Sequence, residues 1–238
     1  MALRVAFDLD GTIADMEAAL HREAEELFGP NVLLRPPGSS EHLDAPPSVE
    51  EVGDDPAKVT AKPEKKEVLS GRHLRQLWEH VTGIENFWTT LREIEPGSVA
   101  RIAALRDAQR MEVMFLTQRP ETAGEITQLQ TQRWLESHGF ELPSVFVLRG
   151  SRGLAAAALQ MDVVVDDRPE NCLEVIAESK ARPLLMWREP IELLPPGARR
   201  LGIEPVLSVG DALRVIEAML AEAPKSTFVS RVRNAIGI

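Results

Sequence analysis

Cysteine is almost missing from this sequence: Cys172 stands alone among 238 residues, which excludes an intrachain disulfide and a zinc cluster. Basic residues are also scarce. Only 27 Lys and Arg face 37 Asp and Glu, for a net charge of -10, and a coat for a nucleic-acid polymer or an anionic membrane needs the opposite balance. A small phosphorylated substrate stays compatible with that charge, because a local basic pocket can sit in an acidic protein. No apolar run approaches the roughly 20 residues that cross a bilayer. The N-terminal Met1-Ala2-Leu3-Arg4-Val5-Ala6-Phe7-Asp8 reads as a strand rather than a signal peptide, so the expected compartment is the cytoplasm. No internal repeat is visible. Lysine is absent between Lys66 and Lys180.

What is present is ordinary for a globular chain: 44% apolar and 27% charged residues, enough to bury one sizeable core with a small accessory domain. Residues 3–7 are a short apolar run that predicts a buried strand ending at Asp8. Residues 16–28 predict a helix stopped by Gly29-Pro30. From Pro30 to Pro63, paired prolines at 36–37 and 46–47 and many acids predict a long loop rather than packed structure. Ser70 reads as the N-cap of a helix to about Val81, with a second helix over 84–92.

After Pro96-Gly97 helices and strands alternate. Helices are expected over 98–108, 121–137, 153–160, 169–180 and 210–222, and strands over 113–116, 145–148, 163–165 and 184–187. Strands that are continuous Val/Leu/Met runs indicate a parallel sheet covered on both faces, the α/β class. The expected organisation is a core of 1–14 and 97–238, with a helical insertion over 15–96 whose 30–66 stretch is a proline-rich loop.

Ligands of open parallel sheets bind at the carboxyl ends of the strands. The residues expected there are Asp8 and Asp10, then Thr117 with Gln118 and Arg119, then Arg149 and Arg152, then Asp166 and Asp167. A lone Asp at a strand end is usually a cap or turn former. Four carboxylates gathered on one edge repel one another and need a cation. Oxygen donors without His or Cys nearby favour Mg²⁺ over zinc.

These motifs resemble the haloacid dehalogenase superfamily. Its apolar strand followed by DxDGT appears as Val5-Ala6-Phe7-Asp8-Leu9-Asp10-Gly11-Thr12, its strand ending in Thr as Val113-Met114-Phe115-Leu116-Thr117, and its acidic fourth motif as Val163-Val164-Val165-Asp166-Asp167. The resemblance implies an α/β fold in which 15–96 is a small helical cap after the first strand. It implies a Mg²⁺-dependent phosphate-monoester hydrolase in which Asp8 is the nucleophile, Asp10 the general acid and base, and Thr117 a phosphoryl ligand. Mg²⁺ would be held by Asp8, the Asp10 carbonyl and a motif-four carboxylate, Asp167 ahead of Asp166. Asp10 also argues against dehalogenation, because dehalogenases of this superfamily lack a second aspartate.

The superfamily's third motif is a lysine, which the gap between Lys66 and Lys180 removes. Leu148-Arg149-Gly150-Ser151-Arg152-Gly153 stands in its place, with Arg152 the expected substitute and Arg149 the second choice. Glu85-Asn86-Phe87-Trp88, Arg133-Trp134-Leu135-Glu136 and Asp166-Asp167-Arg168 are similar to the 5'(3')-deoxyribonucleotidase group, which implies nucleoside or deoxynucleoside 5'-monophosphates as substrates and aromatics that stack on the base. Trp78 and Phe87 lie on apolar helical stripes, which leaves Trp88 as the stacking candidate. Gln118 and Arg119 are expected to reach phosphate or sugar, Asp15 to face the cap, and Cys172 to pack. Two alternatives stand beside the nucleotidase: a phosphatase for another small phosphorylated metabolite, and a weakly active binding protein of the same fold.

Overall fold

The computed structural model describes residues 2–35 and 67–222. The centre is strand β1 (Leu3–Asp8), whose apolar residues alternate between two cores. Val5 and Phe7 point into one cluster with Val113, Phe115, Val163 and Val165, while Ala6 points into another with Met114, Leu116 and Val164. A strand buried on both faces needs helices on both faces, and the chain supplies them.

The sheet is six-stranded and wholly parallel. Its other strands are β4 (Met111–Thr117), β5 (Ser144–Val147), β6 (Val163–Asp166), β7 (Arg182–Met186) and β8 (Glu204–Val206), in the order β5-β4-β1-β6-β7-β8. Helices α3 (Ser98–Ala108), α4 (Thr127–Ser137) and α8 (Val209–Glu222) send Ile102, Leu135 and Ile216 into the first core. Helices α5 (Arg152–Ala158) and α6 (Pro169–Glu178) close the second through Ala156 and Val175. A third cluster under α7 (Pro196–Arg200) holds Cys172 with Leu185, Trp187 and Ala198. Among the described residues no helix is long and apolar enough to cross a membrane.

Between β1 and α3 lie α1 (Met16–Phe28), the short parallel pair β2 (Val32–Leu33) and β3 (Glu67–Val68), and α2 (Gly71–Gly83). Asp15 caps α1 by accepting the Ala18 N–H at 2.9 Å, and Ser70 caps α2 by accepting the His73 N–H at 3.3 Å. Each such cap stabilises its helix by about 1 kcal/mol. The two chain crossings into this insertion run side by side: Asp15 N–H donates to Arg92 O and Ile94 N–H to Ile13 O, both at 2.8 Å. Leu20, Leu77, Trp78, Val81, Phe87 and Trp88 join the same core as Phe7.

Three expectations need correction, and one strand was not expected. The helix expected over 84–92 is a single 3-10 turn, Phe87–Thr89, because Asn86 adopts a left-handed φ of 55°. The helix expected from 121 begins at Thr127. Before it, Gly124 takes φ +93°, and a Cβ there would lie 2.5 Å from Asn86 Oδ1, so the two turns lock together through that glycine. Strand β8 is three residues with Pro205 in the middle, too short and interrupted to read as a strand. The loop expected from Pro30 carries β2 at its start, and the rest of it, 36–66, lies outside the described residues, as does the tail from Pro224.

Candidate active site

Parallel register brings the site together. Asp8 is paired with Leu116 and follows Phe7, which is paired with Val165, so Asp8 stands beside Thr117 on one side and Asp166 on the other. All three belong to strand ends buried in the sheet: Asp8 is 5% exposed, Thr117 1% and Asp166 0%.

Arg152 is delivered to this edge by α5. Ser151 caps that helix, accepting from Gly153 N–H at 3.1 Å and Leu154 N–H at 3.3 Å, and Glu174 accepts the Arg152 N–H at 2.8 Å. Gly153 permits the approach of α5 to α6: a Cβ there would lie 2.1 Å from the Glu174 carbonyl oxygen. The buried guanidinium then spans two carboxylates. Its Nη2 donates to Asp8 Oδ1, and its Nε lies 3.0 Å from Asp166 Oδ2. A lysine ammonium is a point charge, whereas this fork offers separate N–H groups to two acids. Arg149 is elsewhere: its side chain is 89% exposed and faces Glu121 at 3.6 Å.

Burial pushes the Asp8 carboxyl well above the usual carboxylate range; Arg152 pulls it down, while Asp166, Asp167 and Asp10 push it further up. Burial likewise raises Asp166, against Arg152 and hydrogen bonds from the Arg168 N–H and Asn171. The edge therefore carries more negative charge than one guanidinium offsets. Among the described residues no three His, Cys, Asp or Glu side chains stand together as a metal cage. The donors that fit Mg²⁺ here are fewer and all oxygen. Asp167 packs its carboxylate on Gly11, where a Cβ would lie 2.1 Å from Asp167 Oδ2, and so adjoins the peptide that carries the Asp10 carbonyl. Asp8, Asp167 and that carbonyl suit a hard cation, with water completing its shell. Asp166 is placed differently: Asn171 donates to both of its oxygens, at 2.9 and 3.1 Å, and Arg152 takes one side, so both oxygens are already engaged by protein donors.

Asp10 leans the other way, towards Arg119. The guanidinium Nε donates to Asp10 Oδ1 at 3.0 Å and Oδ2 at 2.8 Å, Nη2 donates to Oδ1 at 2.8 Å, and the Thr117 hydroxyl donates to Oδ2 at 3.2 Å. Arg119 is itself fixed. Its Nη1 donates to Thr131 at 3.1 Å, and its guanidinium carbon sits 4.9 Å from the Trp88 ring centre and 6.0 Å from that of Trp134. Arg119, expected to reach phosphate or sugar, thus holds a carboxylate of the site.

Trp88 is not a stacking platform. It is fully buried, its indole N–H donates to Pro120 O at 2.9 Å, and it packs against Trp78 and Phe87. All three aromatics are core, because the insertion shares its apolar face with the sheet. Gln118 lines the pocket beside Asp8 and Asp10, and its amide donates to Gly150 O at 3.1 Å.

Asp8, Asp10, Gln118, Arg119, Arg152 and Arg168 line a pocket of about 10 Å³. That is room for about one water. Arg168 was not foreseen as a site residue; its place directly after Asp166-Asp167 was the available signal. On the far side of the Asp10-Gly11 turn a cleft of about 340 Å³ opens, walled by Asp15, Glu17, Asp167, Glu170, Trp187 and Arg188. Arg188 braces that turn, donating to Gly11 O at 2.6 Å and Thr12 O at 3.0 Å. The Nη2 that donates to Thr12 O also donates to Glu95 Oε1 at 3.3 Å.

No protein-family model matches this sequence, and no curated protein matches it. Solved structures are similar along nearly the whole chain. A Thermotoga maritima protein assigned as a beta-phosphoglucomutase aligns with a TM-score of 0.54 and 18% identity over 92% of this chain and 100% of that one. A HAD family hydrolase from Deinococcus radiodurans, with bound phosphate and sodium, aligns at 0.50 and 17% over 92% and 96%. L-2-haloacid dehalogenase from Xanthobacter autotrophicus aligns at 0.50 and 12% over 92% and 100%. Identity this low carries the fold and not the chemistry, which differs among these proteins. With its parallel six-stranded sheet, flanking helices and acidic central edge, the chain has the haloacid dehalogenase-like α/β fold.

Proposed function

We propose that this protein is a Mg²⁺-dependent phosphate-monoester hydrolase with Asp8 as its nucleophile. The observation that carries the reading is the buried Asp8 carboxylate, gripped on one oxygen by Arg152, in a pocket that sets three guanidiniums against two carboxylates. Asp166 and Asp167 add to the acids of this edge, so a dianionic phosphoryl group calls for the added charge of Mg²⁺, and Arg is suited to bidentate recognition of phosphate.

Arg152 occupies Asp8 Oδ1, which leaves Oδ2 to attack phosphorus as the bond to the ester oxygen breaks and Asp10 gives that oxygen a proton. Water, hydrogen-bonded to Asp10, then attacks the aspartyl-phosphate. The Asp8–phosphorus bond breaks, orthophosphate leaves and the carboxylate is restored. Mg²⁺ bound by Asp8, Asp167 and the Asp10 carbonyl would offset repulsion between the nucleophile and the phosphoryl oxygens. A halide leaving group needs no general acid, so the presence of Asp10 in the pocket favours phosphate over haloacid chemistry. The nucleotidase likeness rests on sequence alone, since the three aromatics that would stack on a base are in the core.

The test is phosphate release from nucleoside 5'-monophosphates, sugar phosphates and p-nitrophenyl phosphate, with Mg²⁺ or EDTA, for wild type and Asp8→Asn. EDTA is expected to abolish release, and Asp8→Asn to lower it by at least ~10³-fold. Mg²⁺ is expected to raise the thermal midpoint of wild type and not of Asp8→Asn, because only the native state assembles the ligands. Nucleotides leading the panel would favour the nucleotidase reading over a phosphatase for another metabolite. No turnover of any ester would overturn the hydrolase and point to a binding protein.

A further inference from the structure

We propose that Arg188 is a positioning residue of the cation site: it braces the turn whose Asp10 carbonyl would bind Mg²⁺, and Glu95 steadies the brace. The inference rests on the Mg²⁺ site of the hydrolase reading above.

The turn's own hydrogen bonds hold only part of it. Ile13 and Ala14 N–H both donate to Leu9 O, at 2.8 and 2.7 Å, and Gly11 N–H donates to Ala14 O at 3.1 Å. Those bonds close the loop but use neither the Gly11 nor the Thr12 carbonyl. Gly11 sits at φ +82° without a Cβ, so the residue itself does little to fix the peptides on either side. Arg188 takes both carbonyls with separate nitrogens: Nη1 donates to Gly11 O at 2.6 Å and Nη2 to Thr12 O at 3.0 Å. A rigid planar fork on two successive peptides keeps them from rotating independently. The Asp10 peptide is thus held by Ala14 through the Gly11 N–H and by the clamped peptides that follow it.

The fork has a fixed root. Arg188 follows Trp187, whose N–H continues the sheet by donating to Val206 O at 2.9 Å. Its Nη2 also donates to Glu95 Oε1 at 3.3 Å. Glu95 is anchored by the Val209 N–H at 2.8 Å and by the Arg101 guanidinium at 3.1 Å. Val209 opens α8, and Glu95 ends the return crossing from the insertion. The brace therefore ties the turn to the sheet, to α8 and to that crossing. Arg188 also walls the cleft beside Asp10 and Asp167, with its side chain 30% exposed.

Charge and geometry predict opposite results for its removal. A guanidinium near a cation site repels the cation, so on charge alone the loss of Arg188 tightens Mg²⁺ binding. Loss of a group that orients metal ligands weakens binding, typically by about 10–100-fold.

The experiment reads Mg²⁺ affinity from the rise of the thermal midpoint with Mg²⁺ concentration at constant ionic strength. Wild type, Arg188→Ala and Arg188→Lys are each referred to their own midpoint in EDTA. A merely structural role lowers the EDTA midpoint and leaves the affinity where it was. Arg188→Ala is expected to bind Mg²⁺ at least about tenfold more weakly than wild type. Affinity within about twofold of wild type, or tighter, overturns the proposal. If Arg188→Ala does not fold, Arg188→Lys decides by the same criterion, since it keeps the charge and loses the fork. A wild-type midpoint that does not respond to Mg²⁺ is a separate result, which removes the Mg²⁺ site itself and this proposal with it.

Discussion

Asp8 illustrates how a residue's surroundings set its chemistry. Its carboxyl is raised first by burial and then by three neighbouring acids, with Arg152 the opposing charge. A carboxyl whose folded value lies above its unfolded one stabilises the fold only while protonated. That contribution is complete below the usual carboxylate range and is lost as pH rises through that range to the raised folded value. Asp8→Asn keeps the shape and has no charge to bury. In metal-free buffer it is therefore expected to be more stable than wild type by about 0.5–2 kcal/mol at neutral pH. The difference should fade as pH falls below the ordinary carboxylate range, read from urea midpoints across pH. Greater wild-type stability at neutral pH would mean that the Arg152 pair outweighs burial.

At the scale of an element, the turn from Asp10 to Thr12 holds the site in register. Gly11 takes φ +82°, favourable only to glycine, and the space of its missing Cβ is filled by the Asp167 carboxylate. Arg188 pins the outer face of the same turn through the Gly11 and Thr12 carbonyls. Gly11→Ala therefore meets two obstacles, a left-handed backbone costing about 1–2 kcal/mol and an overlap that drives Asp167 away. The expected outcome is a protein that folds with a lowered midpoint and gains no stability from Mg²⁺ up to millimolar concentration. Undiminished stabilisation by Mg²⁺ would remove Asp167 and this turn from the metal site.

Across the whole molecule, the insertion and the sheet share one apolar cluster, with Trp78, Phe87 and Trp88 at the seam. Trp88 links them further: its backbone N–H donates to Gln130 of α4 at 3.1 Å, its indole to Pro120, and its ring faces the Arg119 guanidinium. Truncation at this seam should behave as a core mutation. Trp88→Ala is expected to cost about 3–5 kcal/mol in urea unfolding. In whatever folds, it should change KM for nucleotides no more than KM for sugar phosphates. A selective rise for nucleotides would put the indole back at the substrate.

Five of the six strands of the main sheet, the cap Ser70, the acids at the strand ends and an arginine, Arg152, for the same edge were legible in the sequence, because each depends on local pattern or on a motif. The irregular stretches were not. The turn at Asn86 and the late start of α4 depend on one another through Gly124, a contact between residues far apart in the chain. Side-chain destinations were also beyond reach. Arg119 and Arg149 each follow a strand in similar polar sequence, yet one is buried on Asp10 and the other is open to solvent. Sequence alone determined which chemical groups reach the carboxyl edge of the sheet, since strand ends are set by local apolar runs. Tertiary packing decided which of those groups face one another. A guanidinium taken out of water must find its partner among whatever carboxylates the fold has placed within reach.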